Sequence, residues 1–384
     1  MRVVHICLSG AYIDGWGYQE NLLPAYMLRE GVENHVISSY DHYPSYVKKE
    51  DVLRLQSKGR KYDCEGVHLV RLDTVMLSTS MVVAKGLTRA LEEISPDLVF
   101  HHDVDFTSLP ACARFCRRSG AVLFVDNHAD EINMSRNRLW VWLCHKVLVR
   151  NACRRCDDAV SLYYGVSGLR CDFLRKYYHI DERRIKLLPI GADVDKAGTI
   201  DAKAALRTFY GFGEEDIVIV SGGKMGEGKG TGMLVDAVRD MRRTDSRVKL
   251  LLFGKVEDLA TERKIAESDF VTLYGWCDRK RTLELLKCAD IACWPVHHTT
   301  LVEDAVSVCT PLILRKTGTV AHLIDGNGEW IPSQDLHGLE QAIGKLMARL
   351  TDDDLMQACA DMKEKISYRT IARTVIEDYG KYVK

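Results

Sequence analysis

One pattern, used twice, most restricts what this 384-residue chain can fold into: an apolar strand, a glycine-rich turn and then a helix. The first cycle reads as a strand over 3–8, a turn from Gly10 to Gly17 and a helix from about 18 to 30, stopped at Gly31. The same order returns with a strand over 216–221, a turn over 222–232 and a helix over 233–242. Short apolar strands at 35–39, 97–101 and 121–126 alternate with helices at 87–94 and 108–118. In the second half, strands at 248–253, 271–274, 291–294 and 311–314 alternate with helices at 281–287 and 303–309. Such alternation predicts an α/β protein with two doubly wound, Rossmann-like domains, whose ligands sit at the carboxyl ends of parallel strands. The boundary falls at the extended segment 188–193, giving domains 1–190 and 191–369, with a last helix over about 370–384 expected to pack back on the first.

Composition narrows the classes. With 46% hydrophobic and 28% charged residues the chain can bury a sizeable core, which excludes a disordered tail. Lys and Arg number 53 against 54 Asp and Glu, so a globally basic nucleic-acid binder is excluded and no nucleic-acid partner is expected. The longest apolar candidate, 139–149, is broken by His145 and Lys146 and falls short of the roughly 18 residues that span a bilayer. The chain enters a strand at once, without the charged leader and cleavage site of a secreted protein. Its thirteen cysteines, an odd number, are therefore expected to be reduced thiols in a cytoplasmic protein. Cys153 and Cys156 form one C-x-x-C pair, but no second pair completes a zinc set, so they read as neighbours on a helix.

The second glycine turn, Ser221-Gly222-Gly223-Lys224-Met225-Gly226-Glu227-Gly228-Lys229-Gly230-Thr231, nearly matches the phosphate loop G-x-x-x-x-G-K-[ST]. It fails at the last position: Gly230 stands where a hydroxyl should hold magnesium, and Thr231 comes one residue late. A P-loop hydrolase also needs a later metal-binding aspartate, and no convincing one follows. A glycine turn ahead of a helix can still present backbone N–H groups to a phosphate, with Lys224 and Lys229 as added cations.

These residues resemble the retaining glycosyltransferases of the GT-B fold, family 4 type. The family's G-[RK]-x(4)-K-G is similar to Gly223-Lys224 through Lys229-Gly230. Its P-S…E-x(7)-E-A-M-A-x-G-x-P region is similar to Pro295 through Pro311, with Asp304-Ala305 standing for Glu-Ala. Gly15-Trp16-Gly17 resembles the first-domain glycine turn, and Pro189-Ile190-Gly191-Ala192-Asp193 the P-x-G-[VA]-D hinge. The matches run in order from about residue 5 to 330.

The resemblance implies a nucleoside diphosphate sugar, a UDP-sugar ahead of a GDP-sugar, bound in an interdomain cleft with no further cofactor. Lys224 and Lys229 would neutralise the diphosphate without a metal, beside Gly223. The amides of Thr300, Leu301 and Val302 would add anion-binding dipoles, and Asp304 or its neighbour Glu303 would accept from the ribose hydroxyls. Tyr274 and Trp276 fall where the family reads the base, and Gly15 and Gly17 lie on the donor side of the first domain. His128 matches a strand-end histidine facing the donor sugar and acceptor, with His102, Asp103 and Asp130 as acceptor contacts. The cluster around His101 and His102 also imitates a metal site, although ligands on one strand would alternate faces.

The chain departs from the family where Val296 replaces the first glutamate of the E-x(7)-E pair, leaving His297 and His298 to meet the sugar. Two other readings therefore stand beside transfer to a glycan or lipid-linked glycan: an inactive scaffold derived from the fold, and a nucleotide hydrolase. The segment 112–155 carries nine basic residues against three acidic, a net of +6, around Trp140 and Trp142. It suits either peripheral contact with an anionic inner membrane face or an amphipathic helix burying its tryptophans.

Overall fold

Parallel strand pairing organises both halves of the chain. The computed structural model describes every residue except 9, 11, 44–46, 79, 80, 133, 136 and 384. Ala11 of the expected first glycine turn, Arg136 of the basic segment and Lys384, where the last helix was expected to end, thus lie outside the described residues. The chain divides into two compact units, Met1–Pro189 with Tyr368–Lys384, and Ile190–Ser367.

In the first unit the strands are β1 (Arg2–Cys7), β2 (Glu33–Ser39), β3 (Lys61–Cys64), β4 (Val67–Leu72), β5 (Thr74–Ser78), β6 (Met81–Ala84), β7 (Leu98–His101), β8 (Val122–Asn127), β9 (Leu162–Gly165) and β10 (Ile185–Leu187). Eight form one sheet in the order β10-β9-β8-β7-β1-β2-β4-β3, while β5 and β6 pair separately. Every pairing in the large sheet is parallel except β3 with β4. β7 and β8 are buried along their whole length, as expected of strands covered on both faces. The helix Tyr368–Gly380 belongs to this unit. Its Asp378 accepts from Tyr164 Oη at 2.9 Å and pairs with Lys186 Nζ at 2.6 Å.

In the second unit β11 (Ile217–Met225), β12 (Val248–Val256), β13 (Val271–Tyr274), β14 (Ile291–Trp294), β15 (Leu312–Arg315) and β16 (Gly328–Ile331) form an all-parallel sheet in the order β13-β12-β11-β14-β15-β16. Val218 and Val220 enter one hydrophobic core and Ile219 the other, so consecutive residues of β11 feed opposite faces. Helices cover both, which is the doubly wound arrangement expected.

One expectation needs correction. Gly222 to Met225 are strand, not turn, because they pair in register with Phe253 to Val256 of β12. The turn proper is a single 3-10 step, Glu227–Lys229, leading to the helix Thr231–Met241.

Candidate active site

In the second unit the carboxyl ends of β11, β12 and β13 lie side by side because Gly223 faces Gly254 and Phe253 faces Tyr274. Gly254 has φ +116° and Gly223 φ +102°, and a Cβ on Gly254 would overlap the Gly223 carbonyl oxygen. Only glycine lets the two strands approach here. A Cβ on Gly223 would come within 3.3 Å of Leu301 Cδ1, and one on Gly230 within 2.7 Å of Val296 Cγ2. The loop after β11 therefore rests on the segment after β14, the two parts that the sequence pattern singled out.

Lys224 is exposed at this edge, 3.7 Å from Glu257 Oε1. Lys229 is exposed on the 3-10 step. Burial first, then the charges of Lys229 and Arg315, push His297 below its ordinary value, so two cations converge on that ring. Thr231 does not replace the missing magnesium hydroxyl: its buried Oγ1 accepts the Gly226 N–H at 3.2 Å, closing the loop on itself.

The helix Leu301–Ser307 carries the two candidate carboxylates, and the structure separates their roles. Arg279 Nη1 lies 2.8 and 2.9 Å from the two oxygens of Asp304. Burial pushes the Asp304 carboxyl up to about 6 against the pull of Arg279. Glu303 accepts His298 Nε2 at 2.8 Å through Oε1, while its buried Oε2 has no hydrogen-bond partner among the described residues. Glu303 is thus the carboxylate with an acceptor to spare. The Val302 N–H already donates to the Thr299 carbonyl at 3.0 Å, whereas the amides of Thr300 and Leu301 precede the first intrahelical bonds. Tyr274 lies beneath the Arg281 guanidinium, 4.8 Å from the ring centre, and Trp276 is 77% exposed.

In the first unit, Gly15 takes φ +81° in the turn ahead of the helix Gln19–Arg29, and half-buried Gly17 completes that turn. Asp126, fully buried one residue before the end of β8, collects four donors. Gln19 Nε2 and His102 Nδ1 each lie 3.0 Å from Oδ2, His128 Nε2 lies 3.3 Å from it, and the Asp103 N–H donates to Oδ1 at 2.6 Å. Although burial opposes it, His128 and His102 hold Asp126 well below the usual carboxylate range. Burial likewise works against charge on His128, but Asp126, with Glu20 and Asp103 beyond it, raises that ring to about 9. Asp103 adopts φ +68° and accepts the Val104 N–H at 2.9 Å, and burial raises it. Asp130 is turned inward to Arg170, 3.1 Å away, and is held there rather than offered to a ligand.

The donor atoms of His102, Asp126 and His128 lie within 4.8 Å of one another, a spacing a metal ion could accept. All three are engaged in the hydrogen bonds and ion pair just described, so the set reads as a hydrogen-bonded chain and not as a metal centre. Glu33, His35 and His68 also lie within 4.8 Å of one another, with Glu33 engaged by Arg2 and His35. Sequence reasoning missed His5, Gln19, Asp126, Arg279 and Arg315. Asp126 had a readable signal, as the acidic residue closing an apolar strand. The others are brought in only by tertiary packing.

Residues 216–349 match the family described as "Glycosyl transferases group 1". A D-inositol 3-phosphate glycosyltransferase of Segniliparus rotundus is 26% identical over 156 residues, 38% of this chain and 34% of the relative. The chain's match thus spans about a third of the length of that curated relative. Among solved structures, a glycosyltransferase from Rickettsia africae superposes with a TM-score of 0.68 at 14% identity, covering 100% of this chain and 98% of its own. The Anabaena protein Alr3699/HepE in complex with UDP gives 0.69 at 14% identity, covering 99% and 100%. The chain therefore has the α/β fold of the GT-B glycosyltransferases, and its second unit contains the stretch that matches the glycosyl transferases group 1 family.

Proposed function

We propose that the chain is a retaining glycosyltransferase of the family 4 type that moves a sugar from a nucleoside diphosphate donor to a hydroxyl of a glycan or lipid-linked glycan, without a metal. The observation that carries this reading is the loop after β11, where Gly223 and Gly230 pack on the segment 295–301 with Lys224 and Lys229 exposed beside it. A diphosphate set against that loop gains two cations and the amides of Thr300 and Leu301. The UDP held by the Anabaena structure supports a UDP-sugar ahead of a GDP-sugar. Glu303 is assigned to the ribose, and Tyr274 and Trp276 to the base.

In the first unit we assign His128 to the transferred sugar and Asp103 to the acceptor side; His102, buried with both ring nitrogens engaged, and Asp130, held by Arg170, face inward instead of contacting the acceptor as expected. In the front-face reaction the bond from the anomeric carbon to the diphosphate oxygen breaks. The acceptor oxygen bonds to the same face, and its proton passes to the departing diphosphate. No protein nucleophile is required. One observation favours a binding protein without turnover: Val296, at the position of the missing glutamate, faces Gly230. Incubation with UDP-, GDP-, ADP- and dTDP-sugars separates the two, since a transferase releases nucleoside diphosphate from one of them and a scaffold from none.

Peripheral contact with the inner membrane face, by a cytoplasmic chain, is part of the proposal. No helix among the described residues is long and apolar enough to cross a membrane. Leu139, Trp140, Trp142 and Leu143 are exposed, Leu139 by 75% and Trp142 by 54%, with Arg138 and Lys146 on the same helical segment. Tryptophan beside basic residues suits an anionic headgroup layer. Flotation with vesicles rich in anionic lipid is expected to carry the chain upward, and Trp142→Ser with Leu139→Ser to prevent it. A chain that stays at the bottom with anionic as with neutral vesicles would remove the membrane from the account.

A further inference from the structure

Asp126 stands at one end of a buried chain of polar side chains that crosses four neighbouring strands. Asn34 of β2 lies beside His5 of β1, with Oδ1 3.2 Å from His5 Nε2. His5 Nδ1 lies 3.1 Å from His102 Nε2, beyond the end of β7, and His102 Nδ1 lies 3.0 Å from Asp126 Oδ2. Asn34, His5, His102 and Asp126 are all at most 1% exposed. Parallel register makes the alignment, since β1 pairs with β2 on one side and β7 on the other, and β7 with β8.

The direction of every hydrogen bond in the chain can be worked out from one end. Asn34 Nδ2 donates to the Val32 carbonyl at 2.8 Å, which fixes Oδ1 as the acceptor facing His5. His5 Nε2 must then carry a proton. Burial and the neighbouring His102 push His5 well below its ordinary value, so it stays neutral and its Nδ1 is an acceptor. His102 Nε2 must therefore donate to His5. At the other end Asp126 is approached by donors on both oxygens and is an ionised acceptor, so His102 Nδ1 must donate as well. The hydrogen-bond directions thus place protons on both ring nitrogens of His102, and Asp126 lies between two rings that favour its charged form, His102 and His128. A charge pair this deep is tolerated only with all its hydrogen bonds made.

We propose that His5 and His102 are positioning residues that fix the orientation and proton arrangement of Asp126 and, through it, the ring of His128. His128 is the next group on the same carboxylate oxygen, 3.3 Å away. With His102 and Gln19 on that oxygen as well, the carboxylate that His128 Nε2 meets is fixed in place. The part of this inference that concerns catalysis rests on the assignment of His128 above, but the proton arrangement does not.

Long-range 1H–15N correlation of the histidine rings in the wild-type chain tests the arrangement directly, whether or not any donor is turned over. The expected pattern is His5 protonated at Nε2 alone and His102 protonated at both nitrogens at pH 7. A His5 ring protonated at Nδ1, or a His102 ring with a bare Nδ1, would overturn the proposal. In His102→Gln the His128 ring signals are expected to shift, with kcat lower by about 10- to 100-fold and the donor KM within about twofold of wild type. In Gln19→Leu, which removes one donor but leaves the histidine chain, the His5 and His102 signals are expected to keep the wild-type pattern. Unmoved His128 signals in a folded His102→Gln chain would contradict the positioning role even if transfer itself were never observed.

Discussion

Replacing Lys224 and Lys229 together by alanine is expected to lower sugar transfer by about 10³-fold or more, given that one well-placed donor to a developing anion is worth roughly 10²- to 10³-fold. The fold should not notice. Both side chains are exposed, and the one ion pair Lys224 makes, to Glu257, spans 3.7 Å between groups that are themselves largely open to water. Exposed pairs of this kind contribute about 0–1 kcal/mol, so the melting temperature should stay within about 2 °C of wild type. The measurement is nucleoside diphosphate release alongside thermal melting. Turnover unchanged in the double variant would remove the loop after β11 from the donor site.

Gly254→Ala is expected to have the largest effect on stability of any single methyl group added to the second unit. Its φ of +116° strains any residue with a Cβ, and the new carbon would overlap the Gly223 carbonyl oxygen on the neighbouring strand. The Gly254 N–H also donates to the Gly275 carbonyl at 3.0 Å, so the residue cannot move away from β11 without loosening β13. Strain of this kind costs about 3 kcal/mol or more, equivalent to a fall of roughly 6–12 °C for a unit of this size. Donor binding should weaken with it, because the displaced strand end carries Gly223 and Lys224. Gly228, six residues before Leu234 on the exposed step, has open space around its Cβ position and no positive φ, so Gly228→Ala should melt like wild type. A Gly254→Ala chain as stable as wild type would show that the close approach of the strands is not what positions the loop.

The two α/β cycles were legible because their strands are buried on both faces and read as continuous apolar runs such as Val3-Val4-His5-Ile6 and Leu250-Leu251-Leu252-Phe253. The strands β3 to β6, β9, β10 and β16 were not read. β3, Lys61–Cys64, is a charged edge strand whose pattern of exposure follows only from its antiparallel partner. The extension of β11 through Gly222 to Met225 was hidden by glycines, which read as a turn. Phe253 of β12 leaves no room for a side chain at Gly222, and Gly223 takes a φ of +102° that favours glycine. Along 139–143 the sequence left two outcomes open, and the structure leaves the large apolar side chains exposed. At the site, residue types and spacing located the loop, His297 to Glu303 and His128. The partners that set their state came from elsewhere: Arg279 on Asp304, Gln19 on Asp126 and His5 on His102, joined by strand register and helix placement over separations of up to 107 residues. No local pattern encodes such pairings.

The most direct test of the central claim is the anomeric configuration of the product, read by 1H NMR coupling, after incubation with a UDP-sugar and a hydroxyl acceptor in excess EDTA. The account predicts a glycoside that keeps the donor's configuration, formed with one equivalent of UDP and at a rate that EDTA does not change. An inverted product, transfer that stops when metal is removed, or a full donor panel left unconsumed would contradict it.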